Sequence, residues 1–318
     1  MNTVNPLVSV VVITYNQENT IAQTLDSILV QDIDFSKEII VGEDCSKDTT
    51  REICVKYQEK YPDIIHLILH EHNQGLLKNY QSVLKACKGK YIAQCAGDDY
   101  WHDLNKLKLQ VDFLEANPDY GLIHSDVSVL ISKTGEIKTS LRTNVTIGNV
   151  YKPLLLNGNH IFAPTVMFRR GLLQYVNIDN FIQNGFLMED YPMWLEFSNH
   201  TKFHWINKSL ATYRRNDNSA SHFSDYSKTV NFNENVFHIR KYYHSFYPDD
   251  IKRAELDIFC NTRCLALAIK YDQYTDVKKY AKCVDARHFK QRIKRILLSN
   301  YYLYKIYKKM IYKNIELL

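Results

Sequence analysis

Glycine-rich phosphate loops are missing from this sequence. No GxGxxG follows the first apolar run and no GxxxxGK[ST] occurs anywhere in the 318 residues, of which only 10 are Gly and 7 are Pro. These absences exclude the dinucleotide-binding fingerprint and the P-loop, and the low Gly and Pro content excludes a linker-rich chain. Any phosphate that this protein binds must therefore be held by side chains and a metal ion.

Long apolar runs and paired cysteines are also lacking. The apolar run Val8–Ile13 has the length of a buried strand, and no stretch reaches the roughly 20 apolar residues of a membrane span, so the sequence predicts neither a signal peptide nor an anchor. The 7 Cys contain no CxxC pair. Cys260 and Cys264, four residues apart, are either partners in a metal site or two small core residues in a reducing compartment such as the cytoplasm.

Four β-α units are predicted in the first half of the chain. Short apolar runs alternate there with stretches in which apolar residues recur at helical spacings of three and four. The predicted strands are Val8–Ile13, Glu38–Val41, Ile64–Leu69 and Tyr91–Ala96. This alternation predicts an α/β fold with a mostly parallel, Rossmann-like sheet that helices cover on both faces.

The second half is predicted to be mixed, and the end of the chain helical. Strands are predicted at Tyr120–Leu130, Phe162–Arg169 and Phe203–Arg214, with a helix at Asp190–Asn199. After Ser224 the pattern is helical, polar and rich in Tyr. The predicted organisation is one large domain at 1–224, with an α/β half at about 1–118 and a mixed half at about 119–224, and a helical C-terminal region at 225–318.

Acidic and amide side chains follow each predicted strand of the first half. TYNQE, EDCSKD, HEHNQG and DD come directly after the four strands. Each cluster alone fits a helix N-cap. Because ligands bind beyond the carboxyl ends of strands in an open parallel sheet, four clusters at one edge favour a binding site. Asp98 and Asp99 supply the oxygen ligands that Mg²⁺ or Mn²⁺ prefers.

Four ordered motifs resemble those of family 2 glycosyltransferases with the GT-A fold. They are VSVVVITYNQENTI, EIIVGEDCSKDTT, GKYIAQCAGDDYW and MEDYPMW, spread over residues 7–222. The resemblance implies an inverting enzyme that uses a nucleotide-diphospho-sugar as donor, with UDP or dTDP as the nucleotide and Mn²⁺ or Mg²⁺ as cofactor.

The resemblance also implies that 1–224 is a catalytic domain, with a nucleotide half at about 1–118 and an acceptor half at about 119–224. The nucleotide pocket would be formed by Thr14, Tyr15, Asn16, Glu18, Asp44, Asn73, Lys78 and Asp98. Tyr15 would flank the base, and Asp44 would accept a hydrogen bond from a pyrimidine ring N–H. Asn73 and Lys78 would lie near the ribose and phosphates. The family often has an acid two residues before the paired Asp; here that residue is Ala96, so the ribose contact would depend on Asp98.

Metal and catalytic residues are implied in the same way. Asp99 would bind the metal ion that bridges the diphosphate, and His222 either completes the metal shell or is a surface histidine. Asp190 would be the base that takes the proton of the acceptor hydroxyl, with Glu189 beside it. His160–Thr165 would border the acceptor site. The QxxRW motif and transmembrane helices of the polymerising members are lacking, which predicts the addition of a single sugar.

A basic tail at 287–318 ends the chain. It has nine Lys or Arg against one acid, Glu316. A stripe of apolar residues runs along it: Leu297, Tyr301, Tyr304, Ile311, Ile315 and Leu318. This pattern is typical of an amphipathic helix on an anionic membrane surface and predicts peripheral contact with the inner face of the cell membrane. The alternatives are packing of the stripe on the protein itself or on a second copy in a homo-oligomer. Nucleic-acid binding is not predicted, because the basic residues form no established module.

Two other functions fit parts of the sequence. A sugar-phosphate nucleotidyltransferase would need a Gly-rich loop with a basic residue after the first strand, and TYNQEN has neither. A non-catalytic, membrane-associated protein that binds nucleotide sugars would be expected to lack the base or the metal ligand, yet Asp190 and Asp99 are present. The sequence therefore favours a metal-dependent hexosyl- or N-acetylhexosaminyltransferase in bacterial surface polysaccharide assembly, with a saccharide or lipid-linked saccharide as acceptor.

Overall fold

The computed structural model describes residues 5–139, 142, 145–216, 225–248, 251–283 and 289–315, except for the side chains of 289–291 and 311–315. The chain divides into two compact units, 1–219 and 220–318. The first contains one mixed sheet of nine strands, and the second is helical in the part that is described.

The four predicted β-α units are confirmed. The strands are β1 (Val8–Thr14), β2 (Lys37–Glu43), β3 (Ile65–Leu69) and β4 (Tyr91–Gln94). The helices are α1 (Ile21–Leu29), α2 (Thr50–Lys60), α3 (Leu76–Ala86) and α4 (Lys106–Ala116). Consecutive residues of β1 such as Val10 and Val11 are both buried, which requires cover on both faces of the sheet.

The rest of the first unit is mixed, as predicted. It contains β5 (Tyr100–Trp101), β6 (Tyr120–Ile131), β7 (Glu136–Thr139), α5 (Tyr151–Asn157), β8 (Met167–Arg169), α6 (Ile178–Gln183), α7 (Asp190–Phe197) and β9 (Lys202–Arg215). The predicted strand Phe162–Arg169 was wrong over its first half. Pro164, which has no backbone N–H, lies in a 3-10 helix at Ala163–Thr165, and only β8 is extended.

The strand order is β3-β2-β1-β4-β8-β6-β9-β5, with β7 paired to β6. β1 to β4 are parallel to one another, β8 is antiparallel to both of its neighbours, and β6 and β9 are parallel. The predicted α/β fold class is confirmed. The chain goes from β1 to β2 and β3 on one side and then returns to β4 on the other side of β1. Such a reversal opens a crevice at the carboxyl ends of β1 and β4, where open α/β sheets bind their ligands.

The second unit contains α8 (Tyr226–Phe246), α9 (Arg253–Lys270), α10 (Tyr274–Ala281), α11 (Phe289–Ser299) and α12 (Tyr301–Ile315). Cys260 and Cys264 lie in its apolar core, and burial raises the pKa of Cys260 to about 11. These two cysteines are therefore small core residues, the second of the two interpretations given above, and not partners in a metal site. Within the described ranges, no helix is both long and apolar enough to cross a membrane.

Candidate active site

The loop after β1 is tied to the loop after β2. The Asn16 N–H donates to Ser46 Oγ at 2.9 Å, and the Lys47 N–H donates to Asn16 Oδ1 at 2.8 Å. Asn16 has φ 52°, a left-handed conformation that Asn tolerates better than most residues. The Glu18 carboxylate accepts hydrogen bonds from the Thr49 N–H (3.0 Å) and hydroxyl (2.8 Å) at the start of α2. Asn16 and Glu18 thus connect the loop after β1 to the loop after β2. Tyr15, beside them, is 39% exposed.

Asp44 and Asn73, predicted to bind the nucleotide, contact each other. Asp44 is buried, and its two carboxylate oxygens accept hydrogen bonds from the N–H groups of Gln74 (2.7 Å) and Gly75 (2.9 Å). The Asn73 side-chain amide donates to the Asp44 carbonyl at 3.0 Å. Lys78 lies on the exposed side of α3, just beyond this loop. The base-recognition group inferred from the sequence is therefore held rigidly at the end of β2.

Gln17 joins Thr14 to the acidic loop after β4, and the sequence reasoning missed it. The Thr14 hydroxyl donates to Gln17 Oε1 at 2.8 Å, and the Gln17 side chain also hydrogen-bonds Asp98. A Cβ on Gly97 would overlap Gln17 and approach Thr14, so only glycine allows this close contact. The sequence offered one indication of this role: Gln17 lies in the TYNQEN loop between Asn16 and Glu18, which were both predicted to line the nucleotide pocket.

Asp98 and Asp99 share one arginine. Asp99 is buried, and its Oδ1 accepts a hydrogen bond from the Arg214 N–H at 2.8 Å. The Arg214 guanidinium donates to the Asp98 carbonyl at 2.8 Å and to Gln23 Oε1 at 2.6 Å. Burial raises the pKa of both carboxyls, and for Asp99 the neighbouring Asp98 charge raises the pKa further. Two carboxyls that resist ionising together form a place where a divalent cation would stabilise both anions.

Asp98 and Asp99 could supply only part of the coordination shell of a divalent cation. Within the residues that the structure describes, no group of three or more His, Cys, Asp or Glu side chains could hold a metal ion. His222, the other predicted ligand, lies outside the described residues. Mg²⁺ and Mn²⁺ are commonly bound by one or two carboxylates together with substrate phosphates and water, which matches what Asp98 and Asp99 offer.

Lys106 supports the acidic loop from α4. Its fully buried Nζ lies 4.1 Å from the centre of the Trp101 ring and donates to Gln110 Oε1 at 2.8 Å. Burial lowers the pKa of Lys106 to about 7. The Trp101 indole N–H in turn donates to the Pro164 carbonyl at 2.8 Å. The acidic loop is thereby fixed to the segment at His160–Thr165, which was predicted to border the acceptor site.

Glu189 and Asp190 form a second acidic pair at the start of α7. Asp190 Oδ1 accepts a hydrogen bond from the Tyr191 N–H at 2.6 Å, and Oδ2 accepts one from the Asn159 amide at 2.8 Å. Burial raises the pKa of Asp190 to about 6. Burial and the Asp190 charge raise the pKa of Glu189 to about 8. Because the two carboxyls titrate as a pair, the pair holds about one proton near neutral pH, and the higher pKa of Glu189 favours that residue as its carrier.

The charges of this second pair reach a buried tyrosine of the nucleotide half. The Tyr80 hydroxyl accepts a hydrogen bond from the Gln94 side chain. Burial and, to a smaller extent, the charges of Glu189 and Asp190 raise the pKa of Tyr80 well above its ordinary value. Gln94 ends β4, four residues before Asp98. Nucleotide binding by the residues named from the sequence stays a prediction.

The fold and this arrangement of acids define the class of protein as a glycosyltransferase with the GT-A fold. The sequence matches the family described as "Glycosyl transferase family 2" over residues 9–176, and the chain belongs to this family. The matched region contains Thr14, Asp44, Asp98 and Asp99. It ends before Glu189 and Asp190.

Two curated relatives cover only part of the chain. The chain is 36% identical to the uncharacterized protein Rv1520 of Mycobacterium tuberculosis over 166 residues, which are 51% of this chain and 46% of that protein. It is 38% identical to the putative teichuronic acid biosynthesis glycosyltransferase TuaG of Bacillus subtilis over 109 residues, 34% of this chain and 42% of that protein. The chain thus spans about half the length of these relatives, or less.

Solved structures share the fold. The crystal structure of S. aureus TarS 1-349 in complex with UDP-GlcNAc has a TM-score of 0.60 at 19% identity, covering 88% of this chain and 82% of that one. The mannosyltransferase PcManGT from Pyrobaculum calidifontis, in complex with GDP-Man and Mn²⁺, has a TM-score of 0.54 at 15% identity, covering 96% and 88%. At these identities the likeness shows the fold alone.

Glu189→Gln is expected to stabilise the protein, and more at pH 8 than at pH 5. A carboxyl whose pKa is raised by folding destabilises the folded state progressively as the pH rises from 4.5, its ordinary value, to about 8. One pKa unit corresponds to about 1.4 kcal/mol, so we expect a gain of at least about 1 kcal/mol at pH 8. Thermal unfolding at the two pH values measures the difference.

The matched control is Glu59→Gln, which neutralises an exposed acid near the end of α2. It should leave the difference between pH 5 and pH 8 unchanged. Loss of stability by Glu189→Gln at pH 8, or the same response in both variants, would contradict the protonated state assigned to Glu189.

Proposed function

We propose that this chain is an inverting, metal-dependent glycosyltransferase that moves one sugar from a UDP- or dTDP-sugar to a saccharide or lipid-linked saccharide. The observation that carries the proposal is the Glu189–Asp190 pair. Because Glu189 holds the proton of the pair, Asp190 remains ionised at neutral pH with a pKa of about 6. A base with a pKa near the working pH is suited to accept a proton during the reaction.

Asp190 would remove the proton of the acceptor hydroxyl while that oxygen attacks the anomeric carbon of the donor. The bond from this carbon to the diphosphate oxygen breaks as the new glycosidic bond forms, and the proton ends on Asp190. One displacement inverts the anomeric configuration, so no second carboxylate is needed as a nucleophile. The neutral Glu189 keeps additional negative charge away from Asp190 and from the departing diphosphate.

A pyrimidine nucleotide is favoured by Asp44. Each of its carboxylate oxygens accepts one loop amide and keeps a second lone pair for a ring N–H. TarS was crystallised with UDP-GlcNAc and PcManGT with GDP-Man, so the choice of base must depend on side chains such as Asp44 rather than on the fold. We assign the donor as a hexosyl or N-acetylhexosaminyl nucleotide. The name of TuaG supports a role in surface polysaccharide assembly.

We assign the metal ion to Asp99, with Asp98 beside it. Mn²⁺ or Mg²⁺, when bound, would act as a Lewis acid on the departing diphosphate. The Arg214 N–H orients one oxygen of Asp99, and burial of the side chain restricts its other conformations. The Mn²⁺ in the PcManGT complex supports this assignment.

Asp190→Asn should lower the rate of sugar transfer by about 10²–10⁴-fold, because the amide cannot accept the proton. Donor binding should be unchanged, since the substitution preserves size and lies outside the nucleotide half. The measurement is release of nucleoside diphosphate in the presence of acceptor, with donor affinity from calorimetry. Asp179→Asn, at an exposed acid in the first turn of α6, is the control. Full activity of Asp190→Asn, or equal loss in both variants, would refute the role of Asp190 as base.

Asp99→Asn should remove the stabilisation of the protein by UDP plus Mn²⁺. Ligand binding to the folded state raises the unfolding temperature by mass action, and we expect about 3–4 kcal/mol of such stabilisation in the parent protein at 100- to 1,000-fold excess over Kd. The measurement is the thermal shift with UDP, with and without Mn²⁺. The control variant is Asp63→Asn, at an exposed acid before β3. Stabilisation by UDP that is the same in EDTA as in Mn²⁺ would oppose the metal assignment.

We propose in addition that α11 and α12 bind an anionic membrane surface, at the cytoplasmic face of the cell membrane. The predicted apolar stripe points partly inward: Tyr304 is fully buried and its hydroxyl donates to Asp272 at 2.6 Å. Tyr301 of the stripe is exposed, and the side chains of Ile311, Ile315 and Leu318 lie outside those that the structure describes. A further set of apolar side chains is exposed, which we call the outer apolar face: Ile293, Ile296, Tyr302, Leu303, Ile306 and Met310. Basic residues such as Arg295 and Lys309 are exposed on the same helices. Apolar groups with interspersed cations match an anionic interface in both polarity and charge.

The double variant Ile296→Glu with Ile306→Glu should lose most of its binding to vesicles that contain anionic phospholipid. The two side chains are 64% and 59% exposed, so the folded unit should tolerate the change. Co-sedimentation measures bound protein, and Phe246→Glu, at a 62% exposed residue ending α8, is the control. Unchanged binding by the double variant would overturn the membrane role. A shift from dimer to monomer without vesicles would instead assign this face to a second copy of the chain.

A further inference from the structure

Asp190 receives one of its two hydrogen bonds from outside its own helix. The Tyr191 N–H belongs to the first turn of α7, but Asn159 lies 31 residues earlier, in the segment that follows α5. Each carboxylate oxygen thus has one donor and keeps one lone pair. Both contacts orient the Asp190 carboxylate. The contact to Asn159 is made by a side chain, so a substitution can remove it without changing α7.

The orientation of the Asn159 amide is determined by its other contact. Asn159 Oδ1 accepts a hydrogen bond from the Ile161 N–H at 3.0 Å, so the Nδ2 group must face Asp190. The preceding residue, Gly158, has φ 90°, a conformation that favours glycine, and it ends α5 there. The turn at Gly158 brings Asn159 to Asp190, and the contact with Ile161 leaves the Nδ2 donor of Asn159, rather than its oxygen, facing the Asp190 carboxylate.

Two long-range contacts fix the segment that carries Asn159. Arg142 Nη1 donates to the His160 carbonyl at 2.7 Å, while its Nε is paired with the fully buried Asp126 at 2.6 Å. The Tyr191 hydroxyl donates to the Leu154 carbonyl in α5 at 2.8 Å. The Asn159 donor is thus anchored on one side to β6, through Asp126, and on the other to the helix of the base itself. Such support is what a precisely placed catalytic group requires.

We propose that Asn159 is a positioning residue for the proton-accepting carboxylate: its side-chain amide holds Asp190 ionised and turns a free lone pair toward the acceptor hydroxyl. This inference rests on the proposed function, because it presumes that Asp190 is the base. A hydrogen bond to the charged form of an acid favours that form. Removing it leaves only the Tyr191 N–H to oppose the effect of burial, so a smaller fraction of Asp190 is ionised at neutral pH.

Other groups that face the pair must be counted in any pH effect. Glu189 is adjacent on the chain, and the Tyr80 hydroxyl on α3 interacts electrostatically with both carboxyls. His160 and Arg142 lie on the side of Asn159, and burial lowers the pKa of His160. None of these is altered by a substitution at Asn159. A change in pH profile can therefore be attributed to the lost amide donor.

The test compares Asn159→Ala with Asn159→Asp. The aspartate keeps an oxygen for the Ile161 N–H, and so preserves the turn, but replaces the amide donor by a negative charge facing Asp190. We expect kcat to fall at least about tenfold in both variants with the donor KM unchanged. The acidic limb of the pH profile of kcat should move up by about one pH unit in Asn159→Ala and further in Asn159→Asp, because a nearby like charge disfavours ionisation.

Asn157→Ala is the matched control, since it removes an exposed amide two residues away at the end of α5. It should leave rate and pH profile unchanged. A fall in kcat with no movement of the acidic limb in either variant would overturn the positioning role and leave a structural one. That outcome is distinct from failure of the proposed function, which would appear as retained transfer by Asp190→Asn.

Discussion

Burial of acidic side chains at the carboxyl edge of the sheet is the constraint on which the candidate site depends. A carboxylate removed from water is costly unless hydrogen bonds or opposite charge compensate it. Asp44 and Asp190 are compensated by neutral N–H donors, and Glu189 by keeping its proton. For Asp98 and Asp99 the compensation is incomplete, since burial still raises the pKa of both. The electrostatics therefore differ between the two acidic pairs. The first has one nearby cation, Arg214, which only partly offsets the burial of two carboxyls, and the second places one anion beside one acid with a raised pKa.

The nucleotide half could be predicted from sequence because its elements are local. Each strand and its following helix lie within about 30 residues of chain, and hydrophobic periodicity reports such elements directly. The acceptor half is different. β5 has two residues and exists only because Tyr100 pairs with Thr212, a partner 112 positions away that no local pattern indicates. The short helices α5 and α6 leave too few turns for a periodic signal. Pro164 interrupts an apolar run that otherwise reads as a strand.

The difference between local patterns and long-range contacts also explains what could be predicted of the candidate site and of the basic tail. The family motifs identify Asp98, Asp99 and Asp190 by residue type, but they do not show which side chains brace them. Gln17 and Asn159 act through contacts that depend on the folded loops. In the tail, periodicity predicts an amphipathic helix and cannot say which stripe is buried. The structure decides this through Asp272, which accepts from the Tyr304 hydroxyl and pairs with Lys305 and Lys308, so that part of the expected lipid-facing stripe becomes core.

The family match ends between the supports of the second acidic pair and the pair itself. Residues 9–176 include the strands and loops proposed to hold a nucleotide diphosphate. They also include α5 and Asn159, which contact α7 and Asp190. Asp190, the proposed base, lies beyond the match at the start of α7. Because a carboxylate removed from water needs hydrogen-bond donors to stay ionised, the matched region supplies part of what would make Asp190 a base even though it does not contain Asp190.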